Sequence, residues 1–273
     1  VVVAVDLEAS RSAAERTDFE ALWDRLQAEG RGSITSTQIF EQTGASADAV
    51  RAATANAIAK GLLFSPAKGL YVPVPPQYRN WRVVPADHFI DAMMSHLGCG
   101  YYVGFLSAAA HWGAAHQAVQ EYQVVVNRHV LDRDIERVRL RFHQTRHLDE
   151  RDTVRVAGTE AMLTVAAPDQ CAVDLVGSPS WGGGLSNVAT VLAELPGLNG
   201  EELARLAGRR VRPIAQRLGW LLEHVDAEVD LGPLDALVRS QKRTVLLDGR
   251  QTRKGTRDGR WGVVVNTHVE ADV

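Results

Sequence analysis

SITSTQIFEQTGASADAVRAATANAIAKGLLFSPAKGLYV, residues 33–72, is the stretch whose reading decides the fold. Ser33-Ile34-Thr35 suits a brief strand, and Thr35 or Ser36 is placed to cap a helix running to about Gln42. Gly44 supplies the left-handed residue that a tight turn needs. Ser46 caps a second helix that continues to Lys60 and stops at Gly61. Strands over 62–65 and 69–72 then flank a turn made by Pro66-Ala67-Lys68-Gly69. Upstream, Thr17 with Glu20 three residues on reads as a capping box. Phe19, Leu22, Trp23 and Leu26 recur there at helical spacing until Gly30. Helix, helix, turn, helix, hairpin is the order of a winged helix-turn-helix.

That order assigns a task to the helix after Gly44. A recognition helix offers short side chains to base edges in a major groove, while the preceding helix sets its N-terminus against phosphate. On a helical wheel Val50, Ala53, Thr54, Ala57 and Ile58 share the core side. Asp48, Arg51, Ala52, Ala55, Asn56 and Ala59 face outward. Arg51 suits guanine and Asn56 suits adenine, and the alanines let the helix lie close. With Thr35, Thr37, Gln38 and Ser46 at the helix starts and Lys60 and Lys68 beyond them, these outward residues through Asn56 form the expected DNA-binding set. Charge weighs against it. Residues 1–75 carry seven basic residues against nine acidic, and residues 33–75 three against two, which is thin for a phosphate-binding domain. Winged helices also serve as protein-interaction modules, so both readings stand at this point.

The chain has 273 residues, 45% hydrophobic and 23% charged, with net charge -3. That length favours two domains and an ordinary globular core, and the balance excludes a protein coated in basic charge. Pro73, Pro75 and Pro76 break both helix and strand, so the expected domains are 1–76 and 77–273. Cys99 and Cys171 lie far apart without zinc-site spacing, which fits a reducing compartment. No apolar run reaches the ~20 residues that cross a bilayer, so a soluble, cytoplasmic protein is expected.

Beyond the prolines, Phe89, Ile90, Met93, Met94 and Leu97 read as a helix, followed by a small-residue helix at 107–113. Strands are expected over 121–127, 138–142, 153–157 and 162–165. Helices are expected over 168–176, 186–195, 200–208, 211–225 and 233–240, and strands over 244–247 and 262–266. Strands and helices cluster instead of alternating, so the class is α+β: an N-terminal winged helix followed by a larger mixed domain. Several short motifs, in order, resemble the AbiEi-type antitoxins of bacterial abortive-infection toxin–antitoxin pairs. They are Lys60-Gly61-Leu62-Leu63 with Gly69-Leu70-Tyr71; Tyr101-Tyr102-Val103-Gly104 with Leu106-Ser107-Ala108-Ala109, His111 and Gly113; Arg217-Leu218-Gly219 with Leu221-Leu222-Glu223; and Trp261 with Val265-Asn266. The segment Pro168-Asp169-Gln170-Cys171-Ala172-Val173-Asp174 departs from that pattern, where relatives often have Glu-Arg-Thr. The resemblance implies a DNA-binding repressor of its own promoter that counteracts a co-encoded nucleotidyltransferase-like toxin, with an inverted repeat as operator.

No enzyme signature is intact, and no cofactor or metal is expected. Gly177-Ser178 resembles the start of a nucleotidyltransferase motif, yet no aspartate occurs between Asp174 and Asp226 to hold the metal. GxxxxGKS/T and GxSxG are absent. His143 and His147 have metal-pair spacing but follow a strand pattern, and His111 reads as a hydrogen-bonded core histidine. Basic charge gathers late. Residues 205–217 hold five arginines and no acid, and residues 239–260 hold eight basic residues against Asp248 and Asp258. Arg209, Arg210, Arg212, Arg250, Arg253, Lys254, Arg257 and Arg260 therefore make a second candidate surface, for phosphate or for an acidic toxin. A ligand-responsive regulator and a nucleic-acid-processing enzyme with an unrecognised site are the alternatives.

Overall fold

The computed structural model describes residues 19–26, 28–30, 32–115, 120–159, 161–210, 213–241 and 243–272. The chain forms two compact units. One takes residues up to Gly100 with Leu131–Leu140 and Val156–Leu163, and the other takes Tyr101–Val130, Arg141–Arg155 and Thr164–Val273. Among the described residues no helix is long and apolar enough to cross a membrane. The class is α+β.

In the first unit, helix α1 (residues 19–26) buries Phe19, Leu22, Trp23 and Leu26, the face that its spacing predicts. Thr17, the expected cap, lies outside the described residues. Strand β1 (Ile34–Thr35), helix α2 (Ser36–Thr43), helix α3 (Ala47–Ala59) and the hairpin of β2 (Leu63–Ala67) and β3 (Leu70–Pro73) follow in the expected order. β3 lies between β1 and β2 in the small antiparallel sheet. Ile34, Ile39, Val50, Ala57 and Leu63 close one core with the α1 residues. Local chemistry sets the ends of these elements. Thr35 and Gln38 form a reciprocal capping box, Gly44 takes φ 64° at the turn, and Ser46 caps α3. Each cap stabilises its helix by about 1 kcal/mol.

The hairpin differs from its expected form. Ala67 pairs with Leu70, so Lys68-Gly69 alone makes the tip, and Pro66 lies inside β2 at a register shift between Phe64 and Ala67. A bulge is where a strand accepts proline, because no ladder N–H is required there. Two 3-10 turns and α4 (Ile90–His96) complete the N-terminal stretch of this unit, with Phe89 packing edge-on against Phe64 of β2 at 5.1 Å.

The remaining strands form a six-stranded sheet in the order β6-β7-β5-β4-β9-β8. They are β4 (Tyr101–Val103), β5 (Tyr122–Val126), β6 (Arg133–Ile135), β7 (Val138–Gln144), β8 (Thr153–Ala157) and β9 (Met162–Ala166). α5 (Phe105–His111) packs on β5 and on α6 (Pro168–Gly177), which also contacts α7 (Leu185–Glu194), α8 (Gly200–Gly208) and α9 (Ile214–His224). Every residue of α6 from Gln170 to Val176 is buried, as expected of a helix surrounded by protein. α10 (Gly232–Gln241) packs on α8 and α9. A last small sheet joins β10 (Val245–Leu246), β12 (Val263–Val265) and β11 (Thr256–Asp258). Trp261 ahead of β12 is fully buried. It lies so close over α9 that a Cβ at Gly219 would fall 2.1 Å from its ring, and its indole Nε1 donates to Glu223 Oε2 at 2.6 Å.

Candidate nucleic-acid interface

α3 presents the face that its sequence predicts. Val50, Thr54 and Ala57 are buried, Ala53 and Ile58 are half-buried, and Asp48, Arg51, Ala52, Ala55, Asn56 and Ala59 are exposed. Thr54, polar on the inner side, is satisfied by donating Oγ1 to the Val50 carbonyl at 2.9 Å. Arg51 Nη1 donates to Asp48 Oδ1 at 2.8 Å, with the two side chains 77% and 86% exposed. A pair so open to water contributes about 0–1 kcal/mol, so a phosphate or base edge competes with Asp48 on nearly even terms.

Other residues of the expected set hold structure. Thr35 Oγ1 accepts from Gln38 N at 3.2 Å and Gln38 Oε1 accepts from Thr35 N at 2.9 Å, while Ser46 Oγ accepts from Ala49 N at 3.2 Å. Lys60 Nζ lies 3.7 Å from Glu20. Thr37 and Lys68 are exposed. Thr37, Arg51 and Lys68, with Ser36, Phe40 and Tyr71, border a groove of about 530 Å³ between the start of α2, α3 and the hairpin tip. Asn56 and Lys60 do not border it.

Three residues absent from the expected set brace this face. Arg82, held at φ 57°, donates Nη2 to the carbonyls of Ile58 at 2.8 Å and Ala59 at 3.1 Å, placing a cation on the negative end of α3. His96 Nε2 donates to the Lys68 carbonyl at 3.0 Å, and Arg133 Nη1 donates to the Pro66 carbonyl at 2.5 Å. Each contact spans more than twenty residues of chain, so no local signal in the sequence marks it.

The second basic set divides. Arg209 is exposed at the end of α8. Arg250, Arg253, Lys254 and Arg257 are exposed before and within β11, and only Arg250 among them reaches a carboxylate among the described residues, Asp248 at 3.8 Å. Arg260 is engaged by Glu223 and Asp235, with its guanidinium 4.8 Å from the Trp261 ring centroid. Arg210 turns inward to Asp174, and Arg212 lies outside the described residues.

Asp174 is the centre of a polar cluster that the sequence does not single out. Its Oδ2 accepts from Tyr102 Oη at 2.7 Å, and its Oδ1 accepts from Gln170 Nε2 at 2.9 Å and from Arg210 Nη2. Arg151 Nη1 stands 3.6 Å away. Burial pushes the Asp174 carboxyl up to about 6, against the opposing charge of Arg151 and the bonds from Tyr102 and Gln170. The Arg210 contact also favours the ion, so the group is charged at neutral pH. Burial, then the Asp174 charge, raises the Tyr102 hydroxyl. Burial and the Arg151 charge lower His143, whose ring meets Phe105 and Trp181, each at 5.2 Å. Tyr102, Phe105, His143, Arg151, Asp174 and Arg210 border a cavity of about 110 Å³.

His147 turns instead to Glu150, Nδ1 to Oε1 3.0 Å, so the two histidines of the sequence pair have separate neighbours. Among the described residues no three His, Cys, Asp or Glu side chains gather as a metal site. His111 is exposed at the end of α5 with its ring edge-on to Trp112, which corrects its reading as a core histidine. It is the last residue of α5, beyond the buried Phe105, Ser107, Ala108 and Ala109.

Residues 102–224 match the family model of the AbiEi antitoxin C-terminal domain. The solved structure of the RV2827C protein from Mycobacterium tuberculosis is similar to this chain with TM-score 0.69 and 14% identity over 91% of each chain, a likeness of fold. No curated protein matches the sequence.

Proposed function

We propose, from the match of residues 102–224 to the AbiEi antitoxin C-terminal domain, that the chain is an antitoxin which represses its own promoter and counteracts a co-encoded nucleotidyltransferase-like toxin. The observation that carries the DNA half is the outer face of α3. Arg51 and Asn56 stand exposed among Ala52, Ala55 and Ala59, with Lys68 across the groove that Arg51 borders. That combination lets a helix approach base edges while a hairpin cation meets the backbone. The exposed cations Arg250, Arg253, Lys254 and Arg257 supply sequence-independent attraction beyond the three basic residues of 33–75.

Gel-shift with the DNA upstream of the protein's own gene tests the reading. The expected result is tight, salt-sensitive binding to an inverted repeat, weakened by Arg51→Ala and by charge reversal of Arg250, Arg253, Lys254 and Arg257. Unchanged affinity in both variants defeats the DNA surface. Co-expression with the neighbouring toxin gene tests the other half, and continued lethality in the presence of this protein defeats the antitoxin role.

A further inference from the structure

We propose that the cavity beside Asp174 is a binding site for the phosphate group of a small anion, held by Arg151 and Arg210. The site is independent of the DNA face. Arg151 and Arg210 line the cavity with the hydroxyl residues Thr145 and Ser178, which add donors to the two guanidiniums.

Arg151 shows that this arrangement is incomplete. Its side chain is only 9% exposed, and Nη1 stands 3.6 Å from Asp174, too far for a hydrogen bond. Nη2 donates to Thr145 Oγ1 at 3.2 Å, and Nε is buried with no partner. A finished internal ion pair satisfies its donors, because a buried donor left without an acceptor is costly. An oxyanion in the cavity gives Nη1 the close acceptor that Asp174 at 3.6 Å does not, and a second guanidinium, that of Arg210, lines the same cavity to meet it.

The local charge permits this. Asp174 already accepts from Tyr102, Gln170 and Arg210, so one carboxylate faces two guanidiniums and a net positive charge remains. α9 begins at Ile214, which lines the cavity, and its cap position, Pro213, gives no side-chain bond to the first-turn N–H groups. The end of α6 at Gly177 also borders the cavity, and its partial negative charge is smaller than that of the second guanidinium. Size fixes the class of ligand. One water needs about 10–15 Å³ of such space, so a cavity of about 110 Å³ has room for a group the size of phosphate and not for a whole nucleotide.

Titration calorimetry of the full chain, without DNA and at constant ionic strength, tests the site with inorganic phosphate and with adenosine 5′-monophosphate. Saturable binding of either is expected. It should weaken about tenfold or more in Arg210→Gln, which removes one charge-assisted donor, and tighten in Asp174→Asn, which removes the competing anion. Equal affinity for the two probes identifies free phosphate as the ligand, and tighter binding of the nucleotide identifies a phosphate carried on a larger molecule. Saturation by neither probe overturns the proposal. So does binding that neither variant alters while both keep the wild-type circular dichroism spectrum.

Discussion

Arg51 and Asp48 set opposing demands on the same patch of α3. Asp48 sits in the first turn, where it favours the helix dipole, yet it holds Arg51 at 2.8 Å and repels phosphate. Asp48→Ala is therefore expected to tighten DNA binding severalfold in a gel-shift at fixed salt and to lower helix stability slightly. An unchanged or weaker affinity would mean that this face of α3 does not meet DNA. A second prediction concerns Asp174. With its carboxyl raised to about 6 from 3.8, the folded chain binds that proton more tightly than the unfolded chain. Its contribution to stability is full below pH 3.8 and is lost as pH rises through about 6, a change of about 3 kcal/mol for a shift of this size. His143, lowered by burial, works in the other direction and loses stability as pH falls below its ordinary value. The difference between wild type and Asp174→Asn isolates the carboxyl. In urea unfolding, the wild type should lose stability relative to the variant between pH 4 and pH 6, and parallel curves would refute the assignment.

At the scale of elements, what was legible in the sequence was what is determined locally. Thr35 with Gln38, Gly44, Ser46 and Gly61 each act within a few residues of the chain, so the ends of α2 and α3 could be read directly. Thr35→Ala should cost about 1 kcal/mol by removing the capping box, seen as a lower midpoint in thermal unfolding. The strand β4 was not legible because Tyr101–Val103 is too short to show a period of two. β11 was hidden by the polar residues Thr256, Arg257 and Asp258, whose pairing with β12 is a tertiary event. The cavity was less legible still, since Arg151, Asp174 and Arg210 come from three separate parts of the chain. Two of the late motifs read as resembling AbiEi-type antitoxins meet at one joint. Gly219 leaves room for Trp261, Glu223 accepts the indole N–H, and Arg217 Nε donates to the Leu246 carbonyl at 2.9 Å. Gly219→Ala drives a methyl into that ring and should destabilise the fold by about 1–3 kcal/mol. A midpoint unchanged from wild type in chemical unfolding would show that Trp261 does not pack there.

Over the whole molecule, where the net charge is only -3, the proposed DNA binding calls for a division of labour that salt can separate. Lys68 and Arg51 stand on a first unit whose twelve basic residues are outnumbered by fifteen acidic ones, whereas Arg253, Lys254 and Arg257 are exposed on the second. If the late cations supply attraction, neutralising all three to glutamine releases fewer counterions on binding. The slope of log affinity against log salt should then become shallower by about 0.9 for each phosphate left without its cation, roughly 2–3 in all. Operator and unrelated DNA should weaken alike. Arg51→Ala should do the opposite, lowering the ratio of operator to unrelated affinity while changing the slope by about 1 or less. The two kinds of variant test different surfaces of one protein, so their combination should add in free energy within about 0.5 kcal/mol. A triple variant that leaves the slope intact would place the attraction elsewhere and leave α3 with more of the binding than its charge suggests.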